Sequence, residues 1–473
     1  MNTFLVVVTK YLFILLMTFY VWECFSALRC KNPYKASGIF QRQNGVIFLT
    51  YFLGIATVYM NHDSSVDDIA VIVLGGAQLC YLIVVLGIFP IIYPNINKAI
   101  LSNMCMLLTI GFIVLARLKF ESSVKQFIIV AIVSMLSLIV PYLMSKYELW
   151  KSFTWIYCFV GIALLALVLV IGKTDNGAKL AIPIGKIFTF QPSEFVKIIF
   201  VFFIAGFLSK STSFKNVVLS AIMAGIHVLI LVASRDLGSA LIFFMIYVFM
   251  IYVGTRKVGY IFVCFAGLSI ASLFAYKLFA HVRVRVSVWQ NPWADPGDTG
   301  YQVTQSLFAL GNGGLTGTGL YQGRPKDVPV VDQDFIFSAI GEEFGAIFAV
   351  LLILLCLTCF IAFLNTAMQQ ISLFNKLVCV GLGIQYAVQI IVTVGGAINM
   401  IPSTGVTFPL LSYGGSSILS TLFVFAIIQG LAIVGTIQKP VRHRTPEKGV
   451  GHVKERRTQE IPRIQNTQEI KIR

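Results

Sequence analysis

The chain is a succession of apolar blocks separated by short polar stretches. Most blocks run roughly 18 to 25 residues, the length a helix needs to cross ~30 Å of hydrocarbon. Lipid offers the backbone no hydrogen bonds, so such blocks must be helices whose peptide groups are satisfied internally. The ten-residue alternating segments of a transmembrane barrel are not seen. About thirteen spans are expected, near 4–27, 45–60, 69–93, 99–116, 125–144, 152–172, 194–208, 215–233, 236–253, 258–280, 335–364, 376–398 and 416–437. The span at 194–208 is short, and the turn Ser234-Arg235-Asp236 is tight. The first block is too long for a signal-peptide core and lacks a small-residue cleavage site, so it reads as a retained helix. The pattern therefore predicts an all-α fold: a polytopic transmembrane helix bundle with one large extracytoplasmic loop.

Composition agrees. The 473 residues are 57% hydrophobic and only 12% charged, where a soluble domain carries about 25%. The net charge of +16 falls mainly in short loops and at the C-terminus. That distribution follows the positive-inside rule and points to anionic lipid, not nucleic acid, as the partner of the charge. Arg29, Lys31, Lys35 and Arg42 put the 29–43 loop in the cytoplasm, and the acidic run NHDSSVDD at 61–68 goes outside. Continued alternation places the N-terminus outside and the C-terminus in the cytoplasm. The tail, 438–473, holds ten Lys/Arg against four Asp/Glu from Lys439 onward and reads as a basic, disordered cytoplasmic segment. Three long segments remain outside: 173–193, 281–334 and 399–415.

Those segments carry the chemistry. Loop 281–334 mixes cations (Arg283, Arg285, Arg324, Lys326), carboxylates (Asp295, Asp298, Asp327, Asp332, Asp334) and aromatics such as Trp289 and Tyr301. Its centre, GYQVTQSLFAL, which includes Gln305, alternates like an amphipathic or re-entrant helix. GNGGLTGTG supplies backbone that can approach a ligand closely. Segment 173–193 ends in Gln191-Pro192-Ser193-Glu194, a helix start in which Ser193 or Gln191 can satisfy free amides and Glu194 meets the positive helix end. Lys197 lies three residues on, on the same face as Glu194. One turn into an apolar span, an ammonium needs a partner or must snorkel to the interface. For Arg235-Asp236 a local ion pair is the simple account. The stretch NMIPSTGVTFPLLSYGGSS at 399–417, with Ser412, offers no acid or base and reads as a shaped turn, structural or substrate-lining.

Other chemistries find no support. Cys356 and Cys359 form the closest cysteine pair, in LLCLTCFI, and read as small apolar residues on a buried helix. The five histidines show no metal spacing, so no metal ligand is assigned. There is no GxxxxGK[ST] loop, hence no ATP-driven step. No pair of similar halves supports an alternating-access transporter.

At five ordered blocks the sequence resembles the SEDS family (shape, elongation, division and sporulation), which includes RodA, FtsW and SpoVE. The blocks are GAKLAIPIG…FQPSEFVK (177–197), RDLGSALIF (235–243), NPWADPGDTGYQVTQSLFALGNGGLTGTGL (291–320), DFIFSAIGEEFG (334–345) and NMIPSTGVTFPLLSYGGSS (399–417). The resemblance covers about 100–437. It implies three N-terminal extra spans over 1–98, a ten-span catalytic core over 99–437 and the tail beyond. Ala181 stands where the family usually has an aromatic, and PVVDQD keeps only the last Asp, Asp334, of the usual motif before FIF.

The resemblance implies a peptidoglycan glycosyltransferase of the bacterial cytoplasmic membrane. Such an enzyme polymerises lipid II at the outer face for elongation, division or sporulation. It works with a class B penicillin-binding protein and other cell-wall complex proteins. No cofactor is required by the residues, and a divalent cation stays open. The family's essential acid, in D-P-x-x-x-G-Y, maps to Asp295 with Tyr301, and its paired Glu and Lys map to Glu194 and Lys197. A carboxylate that takes the proton of an attacking sugar hydroxyl suits Asp295, and Lys197, Arg285 or Arg324 would balance a leaving diphosphate. Gln191, Ser193, Gln305, Asp334 and Ser412 are expected in supporting or substrate-binding places. The alternatives are a lipid II flippase and a non-catalytic scaffold of the cell-wall synthesis complex.

Overall fold

The structure, a computed structural model, describes residues 3–437 except 31, 63, 147, 176–177 and 185–187. The expected basic tail lies outside the described residues. In chain order the helices are α1 (Thr3–Arg29), α2 (Pro33–Asn61), α3 (Asp68–Ile92), α4 (Lys98–Leu118), α5 (Phe120–Ser137), α6 (Ile139–Lys146) and α7 (Thr154–Ile171). Three strands follow, β1 (Lys173–Asp175), β2 (Ala178–Ile184) and β3 (Phe188–Phe190). Then come α8 (Pro192–Lys210), α9 (Phe214–Ala233), α10 (Leu237–Thr255), α11 (Gly259–Leu278), α12 (Ala280–Gln290) and α13 (Tyr301–Gly313). The last are α14 (Ile336–Met368), α15 (Leu373–Ala397) and α16 (Gly415–Ile437).

Thirteen stretches are long and apolar enough to span a bilayer, with α5 and most of α6 forming one of them and α12 and α13 none. The protein is a multi-pass membrane helix bundle. The short span expected at 194–208 is a full crossing, because α8 begins at Pro192 and runs to Lys210. Among the described residues the helical pattern is joined by a small antiparallel sheet, β1-β2-β3, between α7 and α8, where Pro183 stands opposite Thr189. Position 181 falls on β2.

Local chemistry sets the helix ends. Asn32, just ahead of Pro33, caps α2 through Tyr34 N (3.0 Å). Asp67 of the acidic loop caps α3 through Ile69 N (3.1 Å). Asp236 caps α10 through Ser239 N (3.0 Å). Asp236 accepts from an amide and from a hydroxyl as it begins this helix.

The core is formed where α4, α8, α15 and α16 meet, and these helices are the most buried. The N-terminal helix α1 docks on it through polar contacts, the adhesive available inside a membrane. Asn103 of α4 accepts from Tyr20 Oη (3.2 Å) and donates to Thr358 Oγ1 of α14 (3.0 Å). Glu23 takes a two-pronged Arg42 guanidinium at 2.8 and 3.1 Å. Cys356 and Cys359 are buried on α14, as two small apolar residues would be.

The segment 299–335 folds back onto the end of α14. At Gly345 the helix kinks with φ +88°, and a Cβ there would strike the backbone of Thr316 and Gly317. Thr318 N and Gly319 N donate to the carbonyls of Glu342 and Glu343, both at 2.9 Å. The glycine run, expected to approach a ligand, thus approaches α14 instead: its close backbone contact is made within the fold.

Candidate active site

α8 starts at the end of the bundle where 281–334 and 399–414 gather. Glu194, in its first turn, is 5% exposed, and Lys197 is fully buried. Lys197 Nζ donates to Glu194 Oε1 at 2.8 Å and to Gln389 Oε1 of α15 at 3.1 Å. Ser420 Oγ of α16 donates to Glu194 Oε2 at 2.9 Å. Gln389 is held in turn, donating to the Thr407 carbonyl at 3.0 Å. Snorkelling is therefore not what Lys197 does. It joins three helices through a satisfied, neutralised pair, the form in which buried charge is tolerable.

Gln191 and Ser193 were expected to cap α8, yet neither side chain does so. Gln191 Nε2 donates to Ser193 Oγ (3.3 Å), which donates to Asp236 Oδ2 (3.2 Å). The pair ties the start of α8 to the start of α10, two helix ends that the chain separates by about forty residues.

Above this cluster opens a cavity of about 560 Å3, lined by Glu194, Gln191, Arg235, Asp236, Arg285, Thr299, Gln302, Asp334 and Ser416 among others. Arg285 is half-buried on α12 and donates to the Ser403 carbonyl at 3.1 Å. Burial lowers its proton affinity, and the carboxylates of Asp334 and Asp236 act against that. Asp334 is pushed up to about 6, chiefly by burial, with Arg285 opposing and Asp332 adding to the rise. The 399–414 turn forms one wall. Its Ser412 lies behind that wall, with its hydroxyl taking Phe408 N at 2.9 Å and donating to the Gln333 carbonyl. Ser412 is thus a pin between two loops.

Asp295 is exposed and sits at the rim, in the tight turn before α13. Its Oδ2 accepts from Thr299 N (3.3 Å) and Thr299 Oγ1 (3.1 Å), and Thr299 lines the cavity. Gly300 completes the turn because a Cβ there would collide with the Pro292 carbonyl. Trp293 packs edge-on against Phe308 at 5.3 Å, anchoring the turn to α13.

A family model for the cell cycle proteins FtsW, RodA and SpoVE matches residues 98–434. The chain belongs to this family. RodA of Mycobacterium bovis, named a peptidoglycan glycosyltransferase, is 35% identical over 305 residues, 61% of this chain and 64% of that protein. The chain thus matches slightly less than two thirds of the mycobacterial relative's length. Stage V sporulation protein E of Bacillus subtilis is 34% identical over 68% of this chain and 92% of that one. In fold, the chain is similar to one from a peptidoglycan synthase complex described as coordinating polymerization and crosslinking. There the TM-score is 0.60, at 24% identity, over 72% of this chain and 97% of the other. RodA of Thermus thermophilus matches with a TM-score of 0.53 at 22% identity, over 71% and 96%.

In this FtsW/RodA/SpoVE-family chain, the residues singled out from sequence do not all meet. Glu194, Gln191, Arg285 and Asp334 line the first cavity, and Asp295 reaches it through Thr299. Lys197, Ser193 and Ser412 support its walls from behind. Tyr301 is exposed at the start of α13, outside the linings of both cavities described. Arg324 and Gln305 line a different cavity, so Arg324 does not join Arg285 as expected. The cation that does is Arg235, whose φ of +65° marks the tight turn noticed in the sequence. Gln389 and Ser420 lie far from Lys197 and Glu194 in sequence, and the signal for them is a glutamine in mid-span, itself a sign of an intramembrane partner. Among the described residues, no group of three His, Cys, Asp or Glu is placed to hold a metal.

Proposed function

We propose that the protein is a peptidoglycan glycosyltransferase that polymerises lipid II at the outer face of the bacterial cytoplasmic membrane. Its N-terminus lies outside and its C-terminus in the cytoplasm, so 281–334 faces outward. The catalytic unit is the ten-span region 99–437, and a class B penicillin-binding protein and other cell-wall proteins are its partners. The observation that carries this reading is one cavity at a bundle end, where two arginines and the Asp295–Thr299 turn converge. The names of the relatives point the same way.

The chemistry divides among the residues. A sugar hydroxyl of the acceptor attacks the anomeric carbon of the donor. The new C–O bond forms as the bond to the diphosphate breaks, and the hydroxyl proton passes to Asp295. Such general-base help is worth typically 10²–10⁴ in rate. The diphosphate leaves as an anion and needs its charge balanced, not a proton. Arg285, bonded to the Ser403 carbonyl, and Arg235 line the cavity and take that role. Lys197 is too deeply committed to Glu194 to touch substrate, and its role is to position the floor. One displacement at one carbon inverts the anomeric centre.

The test is polymerisation of labelled lipid II by the purified protein in liposomes with its partner. Asp295→Asn should make at least ~10²-fold less polymer, and wild-type polymer from that variant removes Asp295 from the reaction.

A further inference from the structure

A second cavity, of about 460 Å3, opens beside α13. Its wall on that helix is Gln305, Phe308, Ala309 and Asn312. Their spacing, i, i+3, i+4, i+7, puts all four on one face. Gln302 and Val303, which line the first cavity, come in the turn before them.

The second cavity has a carboxylate with one oxygen unmet. Glu342 of α14 lines it and is 3% exposed. Its Oε1 accepts the Arg324 backbone N–H at 3.0 Å, while Oε2 is buried with no hydrogen-bond partner. The nearest buried cation is already engaged. Arg117 pairs with Glu343 at 2.9 Å, donates to the Gly323 carbonyl at 3.3 Å and stacks on the Tyr321 ring at 4.4 Å. One guanidinium therefore faces two adjacent glutamates. Asp327, exposed at the same cavity, adds negative charge, and the Arg324 side chain is exposed. Phe308 and Ala309 give an apolar flank, Gln305 gives an amide, and the Asn312 amide bonds to Glu342.

An unmet carboxylate oxygen, an amide acceptor and an apolar flank together fit an alkylammonium group. Its methylenes lie on the flank and its three N–H bonds go to the oxygens. We propose that this cavity binds the primary ammonium of a basic side chain carried on the peptide of the substrate, while the sugar occupies the first cavity. Only the identity of the ligand's carrier rests on the polymerase reading. The two cavities flank a single helix, whose diameter of ~10 Å is spanned by about three extended residues.

Binding is measured first, on the full chain in detergent, by saturation-transfer NMR. The probes are N-acetyl-lysine methylamide and the same compound acetylated on its side-chain nitrogen. The free amine should bind about tenfold more tightly, a difference of ~1.4 kcal/mol, and Glu342→Gln should erase the preference. Asn312→Leu, which leaves Glu342 in place, reads the same loss if the first variant does not fold. Equal binding of both probes to the wild type overturns the site. Polymerisation is measured second, with lipid-linked precursors bearing a free or an acetylated side-chain amine. Acetylation should raise KM about tenfold at unchanged kcat, and only while Glu342 is present. Probe preference with equal KM values overturns the substrate as the ammonium's carrier. No polymer from either precursor counts against the polymerase reading, and the probes still decide the site.

Discussion

Two acidic groups, one lining the first cavity and one bonded to its lining, are built in opposite ways. Glu194 is buried and takes bonds from Lys197 and Ser420, on two helices. Asp295 is exposed and bonded only within its own five-residue turn, to Thr299. The first has both oxygens taken by partners on its own and a neighbouring helix, and the second stands open to solvent. On the function proposed above, the buried pair serves as architecture and the exposed turn as the place for chemistry.

Five variants break or sharpen that contrast. Asp295→Asn should cut polymerisation by ~10²–10⁴ and leave thermal unfolding in detergent unchanged. A parallel loss of stability would show that the turn is structural. Lys197→Ala should destabilise the fold by ~3–5 kcal/mol, because Glu194 is left buried and unpaired. Replacing both, as Glu194→Gln with Lys197→Met, should recover most of that loss. Activity that also returns in the double variant confines the pair to support, while activity that stays absent gives it a part in the reaction.

Asp236→Ala removes the α10 cap and the acceptor of Ser193, and should cost about 1 kcal/mol, read as a lower melting temperature. The smallest effect is on pH dependence. Asp334, with its pKa raised to about 6, binds more protons folded than unfolded between its ordinary range and that value. Stability should therefore fall as pH rises from about 4 to 6 and level off above. Asp334→Asn should flatten the slope, and an unchanged slope would locate the titration elsewhere.

The length and apolarity of the blocks determined thirteen crossings, because hydrocarbon thickness leaves a twenty-residue apolar segment no other structure. Cap residues such as Asn32 and Asp67 act within three residues of themselves, so helix starts were readable too. The five ordered blocks named the family. Partnership was another matter. Lys197 had one partner in reach, Glu194, but Gln389 lies 192 residues away, and Ser420 meets Glu194 across 226. Arg324 and Arg285 share a loop yet line different cavities, since α13 within that loop lines one space with its first turn and the other with the turns that follow. The glycine run looked like a ligand cradle and became packing against a kinked helix. Short-range hydrogen bonding and the solvent's demand on the backbone act along the chain and can be read there. Which polar group meets which across the bundle depends on how helices pack, and only the tertiary structure decided it.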